Sequence, residues 1–267
     1  MIQVELDTTK MIAETRDGIG WVTFNNPRRR NAISLEMWQG LGVILEAFQH
    51  DEAVRVVVMK GAGGKAFVSG ADISEFDAHR GNAEQKLEYA KVAAHGNRWL
   101  NKLDKPLIAM IQGYCIGGGL ATALSADIRF ATPDSTFAIP AARLGLGYEY
   151  AGLSVLSSIV GPSRAKDIMM SARFLDSKEA LQMGLINFVV ESHELEVAVS
   201  AYAQRISGNA PLTVKAAKAA INEVVKDESS RELDKISQMI DACFNSEDYV
   251  EGRKAFMAKR TPEFKGR

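Results

Sequence analysis

Two short stretches of this 267-residue chain leave the backbone bare where chemistry could be done. Gly117-Gly118-Gly119 separates the apolar run 107–111 from the apolar run 120–124. Glycines between a strand and a helix present backbone N–H groups at the helix's positive end, which suits an anion or a developing oxyanion. The same residues equally suit a close-packed turn in which no Cβ fits. The second stretch, Lys65-Ala-Phe-Val-Ser-Gly-Ala-Asp-Ile73, again places small residues after a strand. Two donors converging from two such loops would make an oxyanion hole for a reacting carbonyl. Neither stretch is a nucleotide fingerprint. No Gly-x-Gly-x-x-Gly spacing fits 117–119, and Gly61-Ala-Gly-Gly-Lys65 lacks the upstream glycine of a P-loop.

The elements that must hold these loops follow from periodicity. Residues 11–25 read as two strands around Asp17-Gly18. A loop covers 25–31, and Ser34 stands where a helix N-cap belongs. Trp38, Leu41, Leu45 and Phe48 then recur at helical spacing. The β-branched run 54–59 reads as a buried strand ending at Gly61. Strands are expected at 107–111, at 127–132, from Phe137, and at 185–190, the last preceded by an Asp176/Glu179 capping box and a helix. From Glu194 onward only helical patterns remain: 195–207, a helix opened by Pro211, 230–244 and 247–259. The reading is an α/β body, 1–193, and a helical C-terminal region, 194–267. Strand, strand and helix recur loosely, as in a repeated unit, without a visible sequence repeat.

Composition narrows the function classes. Lys plus Arg is 32 against 33 Asp plus Glu, for a net charge of −1, with 46% apolar and 24% charged residues. That is ordinary globular composition and excludes disorder or collagen. Near-neutral charge argues against a nucleic-acid surface. Cys115 and Cys243 form neither a disulfide framework nor a metal set, so a reducing compartment and no metal are expected. The acidic start, Ile2-Gln-Val-Glu-Leu-Asp7, is no export signal. No apolar run approaches the roughly 20 residues of a membrane helix. A cytoplasmic protein with no membrane partner is expected.

Taken together, Ala66-Phe-Val-Ser-Gly-Ala-Asp-Ile73 and Gln112-Gly-Tyr-Cys-Ile-Gly-Gly-Gly-Leu120 resemble the signature pair of the enoyl-CoA hydratase/isomerase (crotonase) superfamily. Asn25-Asn-Pro27, Asn31-Ala-Ile33, Ser125-Ala-Asp-Ile-Arg129, Ala180-Leu-Gln-Met-Gly-Leu-Ile186 and Ala255-Phe-Met-Ala-Lys-Arg260 extend the resemblance along nearly the whole chain. It implies a crotonase-like superhelix of β-β-α turns with a helical C-terminal trimerisation region, hence a homotrimer or dimer of trimers. It implies a coenzyme A thioester as substrate, with coenzyme A entering as part of that substrate and no cofactor bound permanently. The thioester oxygen would be held by the N–H groups of Ala71 and Gly118.

The departures from the family pattern bear on the chemistry. Hydratases of this family resemble one another in two glutamates, and here the two slots hold Ala121 and Ala141. A methyl group moves no proton. Glu149 falls in a slot where some isomerases, hydrolases and dehalogenases of the family keep a working carboxylate. Tyr148 matches a tyrosine of methylmalonyl-CoA decarboxylases, although Ala71 departs from their histidine. Isomerase or decarboxylase-type lyase chemistry is therefore expected ahead of ordinary hydration. The alternatives are a hydratase with a displaced acid and a non-catalytic thioester-binding homologue.

Each candidate also has a plain structural role. Glu149 could be a solvated acid, Tyr148 a packed aromatic, and Tyr150 more readily still. Arg28, Arg29 and Arg30 could be a solvated loop. The resemblance places that loop near the coenzyme phosphates, with Arg28, Lys65, Ala66, Phe67, Ala71, Asp72, Ile73 and Lys259 as the candidate coenzyme contacts. His79 lies in the segment that in the family borders the acyl pocket, but a surface role fits it better. Trp38 and Trp99 read as core, Met169-Met170 as helix packing, and Cys115 as buried and inert.

Overall fold

The computed structural model describes residues 4–72 and 83–267. Two sheets carry the body. The larger has six strands: β1 (Met11–Arg16), β2 (Ile19–Phe24), β3 (Val56–Gly61), β5 (Leu107–Ile111), β7 (Ile128–Ala131) and β10 (Phe188–Val189), side by side in that order. Only β1 and β2 are antiparallel; every other neighbouring pair is parallel. The smaller sheet orders β4 (Ala66–Val68), β6 (Tyr114–Ile116), β8 (Thr136–Ala138) and β9 (Leu175–Asp176). Odd strands β3, β5 and β7 thus lie in the larger sheet, and the strand that follows each lies in the smaller one. This is the expected superhelix of β-β-α turns.

Burial follows the sequence periodicities. The edge strand β1 alternates buried Met11 with more open neighbours, whereas all six residues of β2 are buried. Val56, Val57, Val58 and Met59 of β3 are wholly buried. Covering both faces of a parallel strand in this way contributes about 1.5–3 kcal/mol per large aliphatic side chain. Helix α1 (Leu35–His50) buries Trp38, Leu41, Leu45 and Phe48, and α2 (Ala83–Lys102) packs across it and buries Trp99. Ser34 stands at the N-cap of α1 but makes no capping bond with its hydroxyl. α3 (Gly118–Leu124) follows β6 directly. Beyond it come α4 (Tyr150–Val160), α5 (Pro162–Ser171) and α6 (Ser177–Gln182). Asp176 caps α6 by accepting the Glu179 N–H at 2.7 Å, as its spacing predicts. The expected strand 185–190 shrinks to two residues, because Leu185 and Ile186 bond back to Ala180 O instead of to a strand. Met169 packs on the core, but Met170 is 77% exposed and does not share that packing.

The helical region comprises α7 (Leu195–Ser207), α8 (Pro211–Val224), α9 (Leu233–Phe244) and α10 (Glu247–Met257). α7 lies on the open face of the larger sheet, where Leu195, Val199 and Ala203 meet Trp21, Val58 and Phe130. Glu196 fixes it there by accepting from Lys60 at 3.0 Å and Arg16 at 3.4 Å, and both cations stack over Trp21. The last residues run back to the body, where Arg55 at the start of β3 donates to Phe264 O at 2.6 Å. Buried Asp248 accepts the N–H groups of Lys265 and Gly266 at 2.6 and 2.8 Å. Among the described residues, no helix is long and apolar enough to cross a membrane.

Candidate active site

The two bare loops meet. Ile33 pairs with Ala71 in a single parallel bridge: Ile33 N–H donates to Gly70 O at 2.8 Å, and Asp72 N–H donates to Ile33 O at 2.9 Å. Alternation along the backbone turns the Ala71 N–H to the opposite side, and it has no partner among the described residues. Gly118 is the first residue of α3, and its N–H precedes the helix's own acceptors. A Cβ built on Gly118 would lie 3.8 Å from Ala71 N. Gly117 makes the turn between β6 and α3 at φ +54°, with its N–H bonded to Ala138 O at 2.7 Å. Gly119 serves packing, since a Cβ there would fall 2.1 Å from Val68 O. The glycine run therefore sets a close-packed position, Gly119, beside a roomier one, Gly118.

Ala121 is half-buried in α3. Ala141 is buried in the 3-10 turn Pro140–Leu144, as part of the core. Tyr148 is half-buried, its ring packs on the core, and burial pushes its phenol upward, so it stays a neutral hydroxyl through the physiological range. Glu149 is exposed on extended backbone at the start of α4, where its carbonyl, not its carboxylate, receives the Leu153 N–H. Tyr150 is 84% exposed.

The early loop is fastened to the second loop by Asn31, a residue whose part the sequence reading did not isolate. Asn31 is fully buried at φ +56°. Its side chain accepts Asn26 N–H at 2.9 Å and donates to Ala62 O at 2.9 Å and Ala66 O at 2.8 Å. An asparagine after a run of arginines was the available signal, because Asn adopts left-handed backbone more readily than most residues and can bond it locally. Pro27 sits against Gly63, so the turn bearing exposed Arg28 borders the loop bearing exposed Lys65. Arg29 reaches the buried Asp72 carboxylate at 3.5 Å, and Arg30 lies over the Tyr114 ring at 4.8 Å.

The other candidates are placed less centrally. Ala66 and Phe67 are strand residues with side chains in the core, where Phe67 packs edge-on to Phe24, so only their backbone is available to a ligand. Lys259 follows α10 at φ +52°, and among the described residues nothing joins it to Arg28 or Lys65. Ile73 and His79 lie outside the described residues. Cys115 is wholly buried and burial pushes its thiol up, which makes it a poor nucleophile. His95 Nε2 lies 3.0 Å from the Glu46 carboxylate and 3.2 Å from the Trp99 indole nitrogen. No cluster of metal-ligating side chains occurs among the described residues.

Comparison with known proteins gives the class to which this superhelix of β-β-α turns belongs. The family model described as enoyl-CoA hydratase/isomerase matches residues 14–267, and the chain belongs to that family. It is 35% identical to a short-chain-enoyl-CoA hydratase of Clostridium acetobutylicum over 98% of this chain and 100% of the relative. It is 32% identical to a carnitinyl-CoA dehydratase of Escherichia coli over 95% and 97%. A crystal structure of an enoyl-CoA hydratase/carnithine racemase from Magnetospirillum magneticum superposes with a TM-score of 0.91 at 35% identity, covering 98% of this chain and 97% of that one.

Proposed function

We propose that this chain stabilises the enolate of a coenzyme A thioester between the N–H groups of Ala71 and Gly118. The observation that carries the reading is the Ile33 bridge, which leaves the Ala71 N–H unpaired beside the first N–H of α3. Each fixed donor aimed at a developing oxyanion contributes on the order of 3 kcal/mol to the transition state. The similar proteins are named for reactions of CoA esters, which supports the same substrate class. Arg28 and Lys65, on adjoining loops, supply cations for the coenzyme phosphates. Coenzyme A enters as part of the substrate, with no resident cofactor.

Ala121 and Ala141 bear only methyl groups where the resemblance puts the hydratase glutamates, so the chemistry favoured is isomerisation or decarboxylation. In decarboxylation the breaking carbon–carbon bond leaves its electron pair on the enolate as carbon dioxide departs, and a proton must then reach carbon. The neutral Tyr148 hydroxyl is the donor this site offers for that step. In isomerisation Glu149 is the base. Assembly as a homotrimer or dimer of trimers fits the apolar side chains left exposed on the last helices, such as Leu233 at 60% and Phe256 at 83%. A cytoplasmic setting fits the two unpaired cysteines.

The test is incubation with enoyl-, dienoyl-, hydroxyacyl- and malonyl-type CoA esters, with products followed by mass spectrometry. Loss of carbon dioxide or a shifted double bond supports the proposal, and net addition of water restores the hydratase reading. Binding without turnover on every ester makes the chain a thioester-binding protein. Turnover unchanged in both Tyr148→Phe and Glu149→Gln removes those two residues from the mechanism.

A further inference from the structure

Lys105 occupies the bend before β5, on the wall of a 760 Å³ cavity near the N-terminal end of β3. The loops of the candidate active site leave β3 at its other end. Arg55, Lys215, Lys265 and Arg267 line the same cavity. Of its acids, Asp104 is taken by Lys215 at 2.7 Å. The Lys105 amine donates to two backbone carbonyls where α1 ends, Phe48 O and, at 2.7 Å, Asp51 O. An ammonium has three N–H donors, whereas a neutral amine has two and a lone pair. The neutral amine thus keeps enough N–H groups to donate to both carbonyls, and tetrahedral geometry directs its lone pair away from them.

We propose that Lys105 is an acylation site that takes the acyl group of an activated donor, either a CoA thioester or an acyl phosphate. The Nζ lone pair attacks the acyl carbon and forms the C–N bond. The C–S or C–O bond breaks, and its electron pair leaves on the thiolate or phosphate. The proton lost from nitrogen passes to that leaving group or to water.

Three further features support the assignment. Burial pushes the Lys105 amine down to about 8; Asp51 and Glu52 pull it back up and Lys215 adds to the depression. Much of it is then neutral near pH 8, where an ordinary surface lysine is almost wholly charged. The surplus of cations on the cavity wall attracts donors that carry phosphate. The product amide keeps a single N–H, so acylation removes one of the two lysine hydrogen bonds and a charge. None of this depends on the Ala71–Gly118 reading.

The experiment is site mapping by peptide mass spectrometry after the full-length protein is incubated with acetyl-CoA or with acetyl phosphate at pH 7.5. The expected result is acetylation of Lys105 on the order of tenfold faster than at exposed Lys178 and Lys235, with a rate that levels off above about pH 8. That advantage should vanish in urea-denatured protein, and the acetylated fraction should melt at lower temperature. The two donors distinguish a thioester source from an acyl phosphate source, and labelling by either supports the site. Lys105 modified no faster than the exposed lysines by both donors overturns the proposal. So does an advantage that persists after denaturation.

Discussion

Gly118 and Gly119 are neighbours with different surroundings: the Cβ position of one is in ordinary contact with Ala71 N at 3.8 Å, and that of the other lies 2.1 Å from Val68 O. The added methyl of Gly118→Ala would sit 3.8 Å from Ala71 N, an ordinary contact, and on the proposed function it would crowd the thioester oxygen. Gly118→Ala is expected to melt within a few degrees of the parent and to lose turnover by about 10²-fold or more. Gly119→Ala is expected to cost about 3 kcal/mol or more in stability, since backbone must move to admit the methyl. Urea denaturation beside a turnover assay separates the two. Equal damage to stability from both variants would refute this division of labour.

Asn31 ties two loops through three hydrogen bonds from a left-handed backbone position. Asn31→Ala leaves Ala62 O and Ala66 O without their shared donor and keeps a Cβ at left-handed backbone without the polar group that offsets its penalty, together about 3 kcal/mol. Asn31→Gly loses the same bonds without the Cβ penalty and should be about 1 kcal/mol less harmful. Urea midpoints of the two variants check the order; a glycine variant no better than the alanine variant would mean that the φ of +56° stores no strain.

Arg28 and Lys65 are exposed on adjoining loops and stabilise the fold little. Arg28→Glu is expected to leave the melting temperature unchanged, raise KM for a CoA ester about tenfold, and leave kcat within a factor of two. The KM effect should shrink at 0.5 M salt, as screening requires. A fall in kcat at constant KM would place Arg28 in the chemistry instead.

The depressed amine of Lys105 has a pH signature of its own. Below about pH 8 the amine is charged in both states, and the folded protein bears the cost of burying it. From about pH 8 to 10.5 the folded state has released its proton while the unfolded state retains it, so this group's contribution to stability rises with pH. After discounting for partial exposure, the gain is roughly 1 kcal/mol. Urea midpoints at pH 7.5 and 9.5 should show this increment in the parent and lack it in Lys105→Arg. The same increment in both would assign it to another group.

Most of the scaffold was legible because its signals are local. The β-branched run of β3, the apolar spacing of α1, and the Asp176/Glu179 cap each report on one element. The meeting of Ala71 with Gly118 was expected from resemblance alone, since backbone direction leaves no mark on residue types. The structure adds a one-residue bridge from Ile33 to Ala71. Asn31 was hidden in a loop because its three partners are scattered over 26–66. Lys259 illustrates the reverse. Its type suits a phosphate, but its position is set by a helix whose tail is anchored at Arg55, beyond the opposite end of β3 from Lys65.

That anchor joins residues far apart in time as well as in sequence. Arg55 meets Phe264 across 209 positions. On the ribosome, Arg55 emerges early and must wait for Phe264, far later in synthesis, before its guanidinium is fully engaged. The start of β3 therefore completes its packing only after the helices α7 to α10 have been made, long after β1, β2 and α1 are available to fold.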